Sequence, residues 1–132
     1  MIEELPSSFV LAPDVNRAVR SGMPVVALES AVITHGLPRP ENFQLASALE
    51  DEIRAQGAMP ATVGLLNGKV HIGLTRAELQ RLATEDGARK ISRRDFGIAL
   101  SRGENGGTTV AGTLIAARLA SASGRQSLRQ SP

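Results

Sequence analysis

The stretch ATVGLLNGKVHIGL, residues 61–74, does most to limit what this chain can fold into. Two apolar runs flank Asn67-Gly68. That pair suits a two-residue type I′ turn, whose central positions both need positive φ. The spacing therefore predicts a β-hairpin near 61–74. Thr75 and Glu78 follow at capping-box spacing, so TRAELQRLA opens as a helix directly after the hairpin.

The rest of the chain continues the alternation. PDVNRAVRSGMP reads as a short helix ending at Gly22, and VVALES as a buried strand rich in β-branched residues. ITHGLPRP, punctuated by Gly36, Pro38 and Pro40, reads as a loop. ENFQLASALEDEIRAQG carries Leu45, Leu49 and Ile53 at spacing four and Gly57 as a stop, so it reads as a helix. ARKIS is a short strand. SRRDFGIALSRG, with Ser92 and Asp95 at cap spacing, is a helix to Gly103. ENGGTT reads as a glycine-rich loop before the Ala-rich helix TVAGTLIAARLASA, with Val110, Leu114 and Ile115 on one side. Helices alternating with strands predict an α/β layered fold. SASGRQSLRQSP is polar, basic and without periodicity, and it reads as a disordered tail.

Composition excludes several classes. The 132 residues suffice for one domain. Aromatics are 2%, with no Trp or Tyr, so the core must be aliphatic and no base-stacking platform is available. Residues 119–132 hold Arg125 and Arg129 and no acid, which leaves the rest of the chain balanced in charge. The basic excess lies in the tail, not on a nucleic-acid-binding face. There is no Cys, so disulfides and thiolate metal sites are excluded. The N-terminus lacks a signal-peptide pattern, and no run approaches the roughly 18 apolar residues of a membrane helix. A cytoplasmic location, with neither nucleic acid nor membrane as partner, is the expectation.

The residues able to carry chemistry are few. Glu29 stands at the C-terminal end of an apolar strand, where ligand sites gather in open α/β sheets. It reads either as a general acid or as a carboxylate that caps backbone N–H groups or pairs with an Arg. His35 in THGLPRP reads as a phosphate or leaving-group contact, or as a loop-stabilising hydrogen bonder. His71, inside a hairpin strand, reads as structural. Lys90, beside Arg89, Arg93 and Arg94 at a strand-to-helix junction, suits a phosphate or is a solvated basic rim. Gly107, Thr108 and Thr109 precede a helix. They read as an anion-holding loop or as plain N-caps, since neither a Walker loop nor GxGxxG is present. No metal-ligand spacing is visible.

Taken in order, PVVALES, THGLPRPEN, GAMPATVGLLNGKVHIGL, KISRRD and GGTTVAGT resemble the pseudouridine-5′-phosphate glycosidases, which are related to the indigoidine synthase A-like proteins. The resemblance is nearly continuous from about residue 12 to residue 118. One departure is Ala31, where the family usually carries Thr. The resemblance implies an α/β/α sandwich, homotrimers and a divalent metal, typically Mn²⁺. It implies reversible cleavage of the C–C glycosidic bond of pseudouridine 5′-phosphate to uracil and ribose 5-phosphate. Glu29 matches the family's proton donor, Lys90 a substrate-contacting lysine and Val110 a substrate-contacting position. Arg93, Arg94, Gly107, Thr108 and Thr109 remain candidates for phosphate.

The family's metal-binding aspartate and imine-forming lysine lie beyond the matching part. Lys69 and Lys90, the chain's lysines, do not match that nucleophile. Residues 1–120 therefore read as the N-terminal part of a family domain, truncated and inactive alone, with no metal ligand in this chain. Residues 121–132 read as a non-family tail, for which a frameshift is one explanation. The alternative is a non-catalytic phosphate- or nucleotide-binding or subunit-interaction fragment.

Overall fold

Asn67 and Gly68 both take positive φ, at 52° and 72°. Across them β3 (Met59–Leu66) and β4 (Lys69–Ile72) pair antiparallel, with Leu66 opposite Lys69 and Val63 opposite Ile72. This is the hairpin that the sequence predicts. The computed structural model describes residues 5–129, with side chains described as far as residue 121.

The hairpin is the centre of a six-stranded sheet. β1 (Phe9–Leu11), a strand with no clear sequence signal, pairs parallel with β4. β2 (Val25–Leu28) pairs parallel with the first half of β3, from Val25–Met59 to Leu28–Thr62. β6 (Gly106–Thr108) pairs antiparallel with the second half of β3, and β5 (Arg89–Ile91) lies parallel on the far side of β6.

Side chains of β3 alternate between two cores, as a strand's period of two requires. Ala61, Val63 and Leu65, with Val70 and Ile72 of β4, meet Val15 of α1 (Pro13–Ser21), Ala99 of α4 (Phe96–Ser101), and Ala116 and Ala120 of α5 (Val110–Arg129). On the other face Leu66 and Leu74 join Ala46 of α2 (Glu41–Ala55) and Leu79, Leu82 and Ala83 of α3 (Arg76–Ala83). Helices thus cover both faces, and the α/β/α sandwich is the observed architecture. The core is aliphatic; each fully buried Leu, such as Leu65, contributes about 1.5–3 kcal/mol.

Both capping boxes form. Thr75 Oγ1 accepts from Glu78 N at 3.1 Å, and Glu78 Oε1 accepts from Thr75 N at 2.8 Å. Ser92 N donates to Asp95 at 2.9 Å, starting a 3₁₀ turn, Arg93–Asp95, ahead of α4.

Four segments differ from their sequence reading. Residues 32–36 of the expected loop form a π-helical turn, in which Ser30 O accepts from both Ile33 N and Thr34 N. Residues 106–108 of the expected glycine-rich loop are strand β6, because the glycines admit close neighbours on either side. The leucine stripe of α2 is not its buried face. Asn42, Ala46 and Glu50 face inward, while Leu45 and Leu49 are 43% and 44% exposed. Satisfied polar contacts fix that rotation: Asn42 Nδ2 donates to Ile33 O at 3.0 Å and to Ala83 O at 2.8 Å. Lastly, α5 runs to Arg129, so the backbone is helical over most of the stretch read as disordered. Ala, Leu, Gln and Arg there are good helix formers. Residues 130–132 lie outside the described residues.

Candidate functional site

β2 runs parallel to β3 and β6 runs antiparallel to it, so their C-terminal ends meet along one side of β3. Ser30 and Thr108 close the junction. Ser30 N donates to Thr108 O at 3.0 Å, and Thr108 N donates to Ser30 Oγ at 2.8 Å. Both hydroxyls donate to Val63 O, and Thr108 Oγ1 lies 2.7 Å from Thr113 Oγ1 of α5. All of these hydroxyls are buried, which makes the network rigid and expensive to leave half-satisfied.

The residue after Leu28 is Glu29, which emerges just past the end of β2. Lys90 comes from β5, whose C-terminal end points the same way as that of β6. Thr109 and Val110 open α5, where Gly112 N donates to Thr109 Oγ1 at 3.3 Å. His35 closes the π-helical turn, with Nδ1 2.6 Å from Thr34 Oγ1. Glu29, His35, Lys90, Thr109 and Val110 line one open cavity of about 490 Å³, together with Ala31, Val32 and Gly36. The site therefore sits at strand C-termini, as expected for an α/β sheet.

Glu29 is half-buried and makes no hydrogen bond or ion pair among the described residues. Of its two sequence readings, the capping or Arg-paired carboxylate has no counterpart here. Lys90 is exposed and likewise has no ion pair among the described residues. An unengaged acid and an unengaged cation thus line the same cavity. Such groups can give a proton to a leaving group and neutralise an anionic substrate.

The other candidates lie elsewhere. Arg93 and Arg94 are exposed on the 3₁₀ turn and do not line the cavity. Their turn is held by Asp95, whose carboxyl is kept below its ordinary range by hydrogen bonds from Ser92. Thr108 is fully buried and its hydroxyl is spent on Val63 and Thr113, so its place in the anion-holding reading is taken by packing. Gly107 is required by close approach: a Cβ there would stand 2.3 Å from Thr34 Oγ1 and 2.7 Å from Ser30 O. His71 lies 3.4 Å from Glu78 on the α2–α3 face, away from the cavity, which fits its structural reading. Ser30 is the residue that sequence reasoning missed. Its partner is 78 positions away, and no local pattern announces it.

A metal would need several hard ligands converging on one point. Among the described residues no three His, Asp or Glu side chains do so. Among the described residues a complete three-ligand set for Mn²⁺ is therefore not assembled. No helix among the described residues is long and apolar enough to cross a membrane.

Comparison with known proteins gives a consistent result. A family model described as "Indigoidine synthase A like protein" matches residues 14–123. A pseudouridine-5′-phosphate glycosidase of Dinoroseobacter shibae is 52% identical over 116 residues, covering 88% of this chain and 38% of the relative. A pseudouridine-metabolizing bifunctional protein of Schizosaccharomyces pombe is 49% identical, over 86% of this chain and 15% of its own length. Among solved structures, the prealnumycin C-glycosynthase AlnA, in complex with ribulose 5-phosphate, superposes with TM-score 0.76 at 40% identity, over 88% of this chain and 37% of that one. An indigoidine synthase A-like protein of Thermotoga maritima superposes with TM-score 0.75 at 31% identity, over 89% of this chain and 39% of that one. The chain thus spans less than half the length of these relatives.

Proposed function

The chain belongs to the indigoidine synthase A-like family, and from that premise we propose that it carries the acid-bearing part of a pseudouridine-5′-phosphate glycosidase site. The observation that carries this reading is the Glu29 carboxylate, unengaged among the described residues, at the junction of β2 and β6 and in one cavity with Lys90 and Val110.

The chemistry suits those groups. A C–C glycosidic bond has no heteroatom to protonate. In the route implied by the family, the ribose opens and its C1′ is held as an imine on a lysine, so that the uracil carbon leaves once an acid protonates it. Glu29 is the proton donor in this proposal. Lys90 faces the substrate's negative charge, and the backbone at Val110 borders the bound sugar phosphate. The imine-forming lysine is neither Lys69 nor Lys90 and belongs to the part of the family domain beyond this chain's match. The isolated chain is therefore expected to bind ribose 5-phosphate weakly and not to turn over. A cytoplasmic setting and homotrimeric assembly belong to the same proposal.

The test joins residues 1–121 to the remaining sequence of the Dinoroseobacter shibae relative. Uracil release from pseudouridine 5′-phosphate is expected, falling by about 10²–10⁴-fold in Glu29→Gln. A folded joined protein without turnover, assayed beside the active relative, overturns the proposal. Binding of ribose 5-phosphate without turnover in that protein favours the non-catalytic module instead.

A further inference from the structure

His35 lines the Glu29 cavity, yet the reaction proposed above gives it nothing to do. Its ring is not loose. Nδ1 lies 2.6 Å from Thr34 Oγ1, and that hydroxyl is itself seated against Gly107, where a Cβ would stand only 2.3 Å away. This contact settles the tautomer. A threonine hydroxyl has one proton to give. Its other acceptors are distant, with Ala31 O at 3.4 Å and Ser30 O at 3.5 Å. Ser30 O, moreover, already accepts from Ile33 N and Thr34 N. Thr34 therefore donates to Nδ1, and the neutral ring carries its own proton on Nε2. Nε2 has no hydrogen bond among the described residues. The cavity thus gains an N–H donor whose ring is fixed from the other edge.

The two walls of the cavity differ in charge. One carries Lys90 and the first turn of α5, and it suits the anionic end of a ligand. The other carries Glu29, at the end of β2, and His35, on the π-helical turn that follows. A carboxylate repels an anion, so this wall takes the neutral end.

We infer that His35 orients the neutral base of the ligand: its Nε2–H donates to a ring carbonyl oxygen, and the ring carbon beside that carbonyl then meets Glu29. The inference rests on the glycosidase reading, in which the base is uracil. The glycosidic carbon of pseudouridine adjoins a ring carbonyl, so a single donor fixes the rotation of the ring and brings that carbon to the acid. His35 gives up no proton. Glu29 protonates the ring carbon, the bond from that carbon to C1′ breaks with its electron pair staying on the base, and His35 keeps its Nε2–H throughout. Thr34 is the positioning residue, because it acts only through the ring of His35. A base without a carbonyl at this place leaves the donor unpaired and is bound less well.

The chain has two histidines, and His71, on the α2–α3 face, is the internal control. Long-range heteronuclear NMR spectra of the isotope-labelled 132-residue chain, at a pH where the imidazoles are neutral, read the tautomer. His35 is expected to carry its proton on Nε2. A proton on Nδ1 overturns the inference. Uracil is then added at millimolar concentration. The His35 ring resonances are expected to move while those of His71 stay in place, and ribose 5-phosphate alone should move His35 less. A His35 ring unmoved by uracil overturns the inference. So does a ring moved more by ribose 5-phosphate, which would make His35 a phosphate contact.

Kinetics of residues 1–121 joined to the remainder of the Dinoroseobacter shibae relative give the second readout. His35→Ala is expected to lower kcat/KM for pseudouridine 5′-phosphate by about tenfold, as the loss of one neutral hydrogen bond requires. Inhibition by ribose 5-phosphate should stay unchanged. His35→Gln restores an N–H donor of similar reach and should recover part of the loss. His35 is exposed, so neither change is expected to disturb the fold. An unchanged kcat/KM in His35→Ala overturns the inference and leaves the glycosidase reading intact. A joined protein that does not turn over removes the glycosidase reading, and the tautomer and uracil response of the 132-residue chain then decide the base contact by themselves.

Discussion

Glu50 and Glu29 are two carboxylates with opposite fates. Glu50, on the inner face of α2, is 2% exposed, and its carboxylate accepts a 2.6 Å hydrogen bond from Thr62 Oγ1. Arg76 and Arg54 stand 3.6 and 3.9 Å from its other oxygen. Glu29 is less buried and engages nothing among the described residues. Yet the two are near neighbours, because Thr62 pairs with Leu28, the residue before Glu29. The difference teaches that burial is a poor guide to which acid works. A buried carboxylate survives only if it is hydrogen-bonded, and that same bonding removes it from chemistry. The free acid at the strand end is the one available to a ligand.

Thr62→Val breaks this contrast at its strongest point. It keeps the shape of β3 but removes the direct hydrogen bond to a buried charge, and both arginines face the other carboxylate oxygen. The expected loss is about 3 kcal/mol, read from urea unfolding. A loss under about 1 kcal/mol would mean that Glu50 is held by its arginines or by water, and the contrast would weaken.

Ser30→Ala comes next. It deprives the buried Thr108 N–H of its acceptor and Val63 O of one donor, although Thr108 Oγ1 still reaches that carbonyl. The expected cost is about 2 kcal/mol in the same measurement. Ser30→Thr separates hydrogen bonding from space, since it keeps the hydroxyl but crowds the junction with Gly107.

How much of this was legible depended on the range of the interactions. The hairpin and both capping boxes are settled within a few residues, and Asn67-Gly68, Thr75/Glu78 and Ser92/Asp95 announce them. Glu29 was legible as a candidate because a charge ending an apolar run is itself a local anomaly. The rotation of α2 was not. Leu45 and Leu49 look like a core stripe until Asn42 and Glu50 find Ala83 and Thr62, partners set by tertiary packing. The strand at Gly106–Thr108 failed for a related reason. A Gly-Gly-Thr run reads the same whether its hydroxyl faces an anion or, as here, another buried hydroxyl.

A smaller effect is expected from pH at the α2–α3 face. Burial lowers the His71 pKa, with Lys69 and Arg81 acting in the same direction and Glu78 opposing them. The unfolded chain therefore takes up the proton first as pH falls through about 6.5, and stability declines on acidification below that value. Asp95 and Glu104, whose carboxyls are lowered by Ser92 and Arg89 respectively, lose their contributions only in more acidic solution. The urea midpoint is thus expected to be lower near pH 5.5 than near pH 7.5, and His71→Gln should flatten that slope. An unchanged slope in the variant would place the sensitivity elsewhere.

The smallest expected effect bears hardest on the contrast. Glu29→Gln is nearly isosteric and removes a charge that contacts no partner among the described residues. Its stability should therefore stay within about 0.5 kcal/mol of the parent, as for surface substitutions away from any network. A modest gain is compatible with the contrast, since a half-buried charge without a counter-ion is a strain that the neutral amide relieves. A loss of more than about 1 kcal/mol would show that Glu29 supports the junction of β2 and β6 much as Glu50 supports Thr62. The two carboxylates would then differ in exposure alone, and the case for Glu29 as the acid would rest on its position.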